Sequence, residues 1–249
     1  MSGLPRRRHR SLAVAALLAG VLLLGACVAD PPVGSVSDEI SPQSTLVAQR
    51  PAFHDKLVVV RFRVTQCGLV IVGSGFAIGP HTILTNRHVV AAAPVADIQV
   101  ETWDSRPLHV VRAKVSPDVD LAVVTVSETL PDVATLAAED PPGKTPVVAV
   151  GYPLAKALRL APGKTIELLD GDVLDTGFRI LLTSASVKPG NSGGPLIDGT
   201  GTVVGVVFAL TIGDETGLAI PITVVHNTLD DEDFITNYTC GNVPPGILV

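Results

Sequence analysis

Three short runs carry residue types that can share one reaction. Gly190-Asn191-Ser192-Gly193-Gly194-Pro195-Leu196 sets a hydroxyl among glycines that let the backbone approach a substrate closely. A serine hydroxyl is a poor nucleophile at neutral pH. It needs a base within hydrogen-bond reach, and the base needs an orienting partner. Thr85-Asn86-Arg87-His88-Val89-Val90 offers the base, an imidazole whose pKa lies near working pH. Asp118-Val119-Asp120-Leu121-Ala122-Val123 offers two carboxylates, either of which could hold the imidazole tautomer and stabilise the imidazolium. The N–H groups of Gly190 and Ser192 would then point at a developing oxyanion, and losing one such donor costs about 10²–10³ in rate. The chemistry implied is acyl transfer through a serine-bound intermediate. The chain order is His, Asp, Ser, one of three unrelated orders in which this constellation recurs. His54, His81, His109 and His226 are isolated and read as solvated or core-edge residues; His9 belongs to the N-terminal leader.

The elements that must position these residues read as strands. Leu57 to Val64, Leu69 to Ile78, His81 to Thr85, Ile98 to Trp103 and Leu121 to Ser127 are short and rich in apolar and β-branched residues. Glu139-Asp140-Pro141-Pro142-Gly143 is a break. Beyond it Pro146 to Gly151, Ile166 to Leu169, Phe178 to Thr183, Thr202 to Leu210 and Leu218 to Ile220 resume the pattern. Ile222 to Leu229 reads as a closing helix with Pro221 at its start. Many short strands with turn punctuation imply a β-barrel or sandwich, and two sets around a break imply two packed barrels.

The N-terminus is set apart from this pattern. Arg6-Arg7-Arg8-His9-Arg10 is a basic flank, and Leu12 to Leu24 is mostly apolar. The segment ends in Leu24-Gly25-Ala26-Cys27, which resembles a bacterial lipobox whose cysteine is lipidated. Flank charge and length favour a lipoprotein-type signal over residues 1–27. An uncleaved anchor helix and an ordinary cleaved signal stay open as alternatives. All three readings export the remaining chain, and the first anchors it to the membrane through Cys27, facing the periplasm or the cell exterior. Residues 28–52, with their prolines and serines, read as a flexible tether before a domain over 53–249.

Export changes the cysteine arithmetic. With Cys27 lipidated, Cys67 and Cys240 remain in an oxidising compartment, where a disulfide is expected in preference to two free thiols. It would close a loop of 240 − 67 = 173 residues, worth about 5 kcal/mol at most in the chain-entropy model. The net charge of −6, without a basic stretch beyond the leader, disfavours nucleic acid as a partner. No metal ligand spacing occurs and no cofactor is implied. Asp230-Asp231-Glu232-Asp233 reads as a solvated run, with a Ca²⁺ site as the lesser reading.

Together, Gly73-Ser74-Gly75-Phe76, the His88 run, Asp120-Leu121-Ala122-Val123, the Ser192 run and Gly217-Leu218-Ala219-Ile220-Pro221 resemble the trypsin-like serine proteases of the HtrA/DegP group over residues 53 to 232. The stretch Val147 to Pro153, with Cys67 and Cys240 flanking the domain, looks closer still to the periplasmic acid-resistance proteases of that group. Their disulfide joins the positions matching these two cysteines. The resemblance implies an all-β, chymotrypsin-like fold of two packed six-stranded antiparallel β-barrels, about 53–133 and 134–232, with a short C-terminal helix. It implies polypeptide substrates and a catalytic set of His88, Asp120 and Ser192, with Gly190 and Ser192 as the oxyanion hole. Asp120 is preferred to Asp118 because it directly precedes Leu-Ala-Val, as the family pattern requires. By the same resemblance Ser186 lies at the base of the substrate pocket and Ala209 and Leu210 line its wall. That predicts a small or medium apolar P1 residue. Two departures stand out. No PDZ domain is expected after a chain ending at Val249, and the leader looks like a lipoprotein signal instead of a multi-helix membrane domain. The competing class is a latent enzyme or an inactive, surface-anchored binding module on the same fold. The oligomeric state is not legible in the sequence.

Overall fold

The computed structural model describes residues 58–173, 176–210, 216–231, 234–235 and 240. The leader with Cys27, the tether, His54, and Glu232 and Asp233 of the acidic run lie outside the described residues. No helix among the described residues is long and apolar enough to cross a membrane.

The first sheet is built from β1 (Val59–Gln66), β2 (Leu69–Gly79), β3 (Thr82–Thr85), β4 (Ile98–Glu101), β5 (Pro107–Leu108), β6 (Val110–Val115) and β7 (Ala122–Val126). Period-two alternation sends Phe62 and Val64 of β1 inward while Arg63 and Thr65 face solvent. The order is β5-β4-β1-β2-β3-β7-β6, all antiparallel. The expected barrel-like sheet is present, with seven strands, because the two-residue β5 pairs on to β4.

The second sheet comprises β8 (Pro146–Gly151), β9 (Arg159–Leu169), β10 (Ile180–Thr183), β11 (Pro195–Asp198), β12 (Val203–Leu210) and β13 (Gly217–Pro221). It closes into a six-stranded barrel in the order β10-β13-β12-β11-β8-β9. Closure removes every free edge, so no backbone row is left to pair with another chain. Its interior is filled by small and medium side chains, among them Ala149, Leu181, Leu196, Val207 and Ala219.

A further cluster belongs to both sheets. Phe76, Leu84 and Leu121 of the first half pack with Val150, Ile180, Phe208 and Ile220 of the second. Burying an aromatic or aliphatic side chain of this kind contributes about 1.5–3 kcal/mol. The two sheets are therefore held together by a core as apolar as either interior. Phe208 adds an edge-to-face contact with Phe178, centroids 5.7 Å apart.

Two α-helices are seen among the described residues: α1 (Arg87–Val90), a single turn, and α2 (Ile222–Asp230), which buries Ile222, Val225 and Thr228. Asp140, in the Pro-rich break between the halves, accepts hydrogen bonds from the N–H (3.0 Å) and hydroxyl (2.7 Å) of Thr223. The break thus supplies a carboxylate to the start of α2, where free N–H groups favour negative charge.

Candidate active site

His88 and Asp120 meet because β3 and β7 are antiparallel neighbours in which Thr85 lies opposite Ala122. His88 is three residues past the end of β3. Asp120 is two residues before the start of β7. Both therefore sit at the same end of the pair. Asp120, only 5 % exposed, grips His88 twice: Oδ1 accepts the backbone N–H at 2.9 Å, and Oδ2 lies 2.7 Å from Nδ1. An ionised carboxylate can only accept, so a neutral imidazole in this contact carries its proton on Nδ1 and leaves the Nε2 lone pair free. Asp118 is exposed, on the bend before Asp120.

Two neighbours of His88 hold the Asp120 loop. Asn86 Nδ2 donates to the Asp120 carbonyl at 2.8 Å. The buried Arg87 guanidinium donates to the carbonyls of Ser116 (3.0 Å) and Pro117 (2.6 Å). A buried charge is costly unless hydrogen-bonded, and here backbone oxygens meet it. Sequence reasoning missed both residues. Their only signal is their place inside the His88 run.

Ser192 lies in the turn that leads into β11. It is 9 % exposed. The carbonyls along this turn are engaged in succession. Pro189 accepts Leu154 N–H (2.6 Å), Gly190 the Ser74 hydroxyl (2.7 Å), Asn191 the Gly194 N–H (2.9 Å) and Ser192 the Ser74 N–H (2.7 Å). In a trans peptide the N–H points away from the carbonyl of the same plane. Tying down the Pro189 and Asn191 carbonyls therefore turns the N–H groups of Gly190 and Ser192 the other way. Neither N–H donates a hydrogen bond among the described residues. Gly193 has φ +84°, and a Cβ there would strike the Ser74 carbonyl and the Thr85 hydroxyl, so the turn needs glycine on both counts.

The Ser192 turn and α1 flank one glycine. A Cβ on Gly73 would lie 2.8 Å from the Val89 side chain and 3.2 Å from the Ser192 carbonyl. Among the described residues no hydrogen bond joins Ser192 Oγ to the His88 ring. The hydroxyl instead lies 3.5 Å from the Phe208 carbonyl, at the outer limit of a hydrogen bond.

Ser186 is exposed between the buried Ala185 and Val187. Ala209 and Leu210 end β12, opposite Leu218 and Gly217 of β13; their side chains lie outside what is described. Cys67 and Cys240 form the expected disulfide, with Cα atoms 5.5 Å apart. The other described histidines stand apart from the site. His81 contacts the Glu128 carbonyl, His109 the Glu128 carboxylate, and His226 the Ala137 carbonyl.

A family model described as a trypsin-like peptidase domain matches residues 73–206. A serine protease of Mycobacterium tuberculosis, Rv3671c, is 32% identical over 197 residues, covering 76% of this chain and 48% of its own. The chain thus spans about half the length of the curated relatives it matches. The crystal structure of the Rv3671c protease in its active form superposes with a TM-score of 0.67 at 29% identity, covering 79% of this chain and 89% of that one. The serine endoprotease from Yersinia pestis shares the fold, with a TM-score of 0.62 at 24% identity over 76% of this chain and 66% of its own.

Proposed function

The chain belongs to the trypsin-like peptidase domain family, and from that premise we propose that it is a serine endopeptidase acting on exported polypeptides. The observation that carries the reading is the two-point grip of Asp120 on His88, beside a serine turn with two unengaged N–H groups. Ser192 Oγ attacks the scissile carbonyl as its proton passes to His88 Nε2. Asp120 holds the Nδ1–H tautomer and stabilises the imidazolium. The N–H groups of Gly190 and Ser192 take the oxyanion. Collapse of the tetrahedral adduct expels the amine, which leaves with the proton from His88. Water, deprotonated by the same ring, then frees the acyl group from Ser192. Ser186, Ala209 and Leu210 are assigned to a neutral pocket for a small or medium apolar P1 residue. The protease domain is assigned to residues 53–249, tethered outside the membrane through a lipidated Cys27.

One observation favours the second reading, a latent enzyme: the Ser192 hydroxyl faces the Phe208 carbonyl and makes no bond to His88. Fluorophosphonate labelling of the oxidised chain beside its Ser192→Ala twin separates the two. We expect covalent labelling and peptide hydrolysis in the parent alone. Absence of labelling in a folded, disulfide-bonded parent would move the assignment to the latent form, and hydrolysis surviving in the variant would remove Ser192 from the reaction.

A further inference from the structure

We propose that Ser74 is a positioning residue that sets the oxyanion hole by holding the Gly190 peptide. The assignment rests on the serine endopeptidase reading above. Ser74 is completely buried in β2 of the first sheet, whereas the Ser192 turn leads into the second, and all of its polar groups are engaged. Its N–H donates to the Ser192 carbonyl and its carbonyl accepts the Thr85 hydroxyl, both at 2.7 Å. Its hydroxyl donates to the Gly190 carbonyl at 2.7 Å and accepts the Tyr152 N–H at 2.9 Å.

That hydroxyl ties together the two segments that aim the N–H groups. On one side it fixes the peptide joining Gly190 to Asn191, which lies between the two planes whose N–H groups would meet the oxyanion. On the other it anchors Tyr152, the first residue of the turn whose Leu154 N–H holds the Pro189 carbonyl. Gly190 has φ +98° and no Cβ, so its preceding peptide is kept from rotating by the Leu154 hydrogen bond and, through the Tyr152 turn, by Ser74. Rotation would put the Pro189 carbonyl where the Gly190 N–H now points, replacing a donor with an acceptor. The space around Ser74 suits a small side chain: Cβ atoms built on Gly151 and Gly194 would lie 2.7 Å from its Oγ and 3.3 Å from its Cβ.

The test compares wild type, Ser74→Ala, Ser74→Cys and Ser192→Ala as full-length oxidised chains. The readouts are kcat and KM on a peptide with an apolar P1 residue, and affinity for a peptidyl trifluoromethyl ketone. The hemiketal oxygen of that inhibitor occupies the oxyanion position, whereas the substrate ground state does not. We expect Ser74→Ala to lower kcat by about 10²-fold with KM within about threefold, and to weaken the ketone in proportion to kcat. Ser74→Cys, which keeps a weak S–H donor, should lose about tenfold. A purely structural role would lower the folded fraction and leave kcat per titrated site and ketone affinity unchanged. A folded Ser74→Ala with wild-type kcat and ketone affinity, or with only KM altered, overturns the proposal. If Ser74→Ala does not fold, a folded Ser74→Cys with unchanged kcat overturns it. Failure of both to fold also overturns it, by making the hydroxyl a folding requirement. Hydrolysis surviving in Ser192→Ala, or an inactive wild type, sinks the endopeptidase reading itself. An inactive Ser192→Ala beside a fully active Ser74→Ala sinks the positioning role alone.

Discussion

Asp120 touches His88 through both carboxylate oxygens, and the two contacts do different things. The bond to the backbone N–H holds α1 in place, whereas the bond to Nδ1 decides which ring nitrogen is free to accept a proton. Asp120→Asn preserves the size of the side chain and can preserve the first bond. An amide nitrogen turned toward the ring donates to Nδ1 and drives the proton to Nε2, the wrong tautomer for a base. We expect kcat to fall by about 10⁴-fold with little change in KM, measured on a peptide substrate. A loss of less than tenfold would take the orienting role away from Asp120. The sequence pointed to Asp120 and not Asp118, because Asp120 is the one joined to Leu-Ala-Val, and it is Asp120 that contacts His88. Asn86, Arg87 and the hydroxyl of Ser74 were not legible there. Each acts on backbone carbonyls 29 to 116 residues away, and no local spacing encodes such a partner.

A strand that buries one face strongly, as β1 does, or both faces, as β8 does, could be read directly. Those missed, or read only in part as β9 was from Ile166 to Leu169, lack that signature. β6 is mostly partly buried or exposed along its length, and only Val115 is buried, so its apolar alternation is faint. β9 contains Pro162-Gly163, which reads as a break, yet the two pair with Val148 and Val147 in the barrel wall. β11 has four residues and starts at a proline. His109, between the two edge strands β5 and β6, has its own tie. Glu128, just beyond β7, accepts the His109 backbone N–H at 2.8 Å and contacts the His109 ring. Hydrogen bonding from the His109 ring, reinforced by that N–H and opposed by partial burial, lowers the carboxyl from its ordinary 4.5 to about 2. A depressed folded pKa stabilises the fold above the unfolded value. The contribution is lost as pH falls from about 4.5 toward 2. The pair is largely solvent-exposed, so screening and side-chain entropy limit it to under about 1 kcal/mol at neutral pH. Glu128→Gln should therefore be slightly less stable than the parent at pH 7, and the gap should close below pH 4. A gap in urea midpoints that widened on acidification would refute this account.

At the scale of the molecule, the chain comes back to the first sheet after α2. After α2, Ile235 makes an antiparallel bridge to Val115, and Cys240 is bonded to Cys67 in the β1–β2 turn. The disulfide spans 173 residues of sequence, so it encloses nearly all of both sheets. The chain-entropy model gives about 5 kcal/mol for a loop that long; compactness of the unfolded chain reduces this. Both cysteines are exposed, so serine at each position buries no new polar group. The double variant Cys67→Ser, Cys240→Ser isolates the cross-link for that reason. We expect it to lose about 2–5 kcal/mol in urea, with a melting temperature lower by roughly 5–15 °C. The core shared by Phe76, Leu84, Phe208 and Ile220 couples the two sheets directly, without help from the disulfide. Unfolding should therefore stay a single transition when the cross-link is gone, because neither sheet can open without exposing the other's apolar face. An unchanged urea midpoint would mean the cross-link constrains little of the unfolded chain. Two separated transitions would mean that the shared core is weaker than its burial implies and that the disulfide is what makes the halves cooperative.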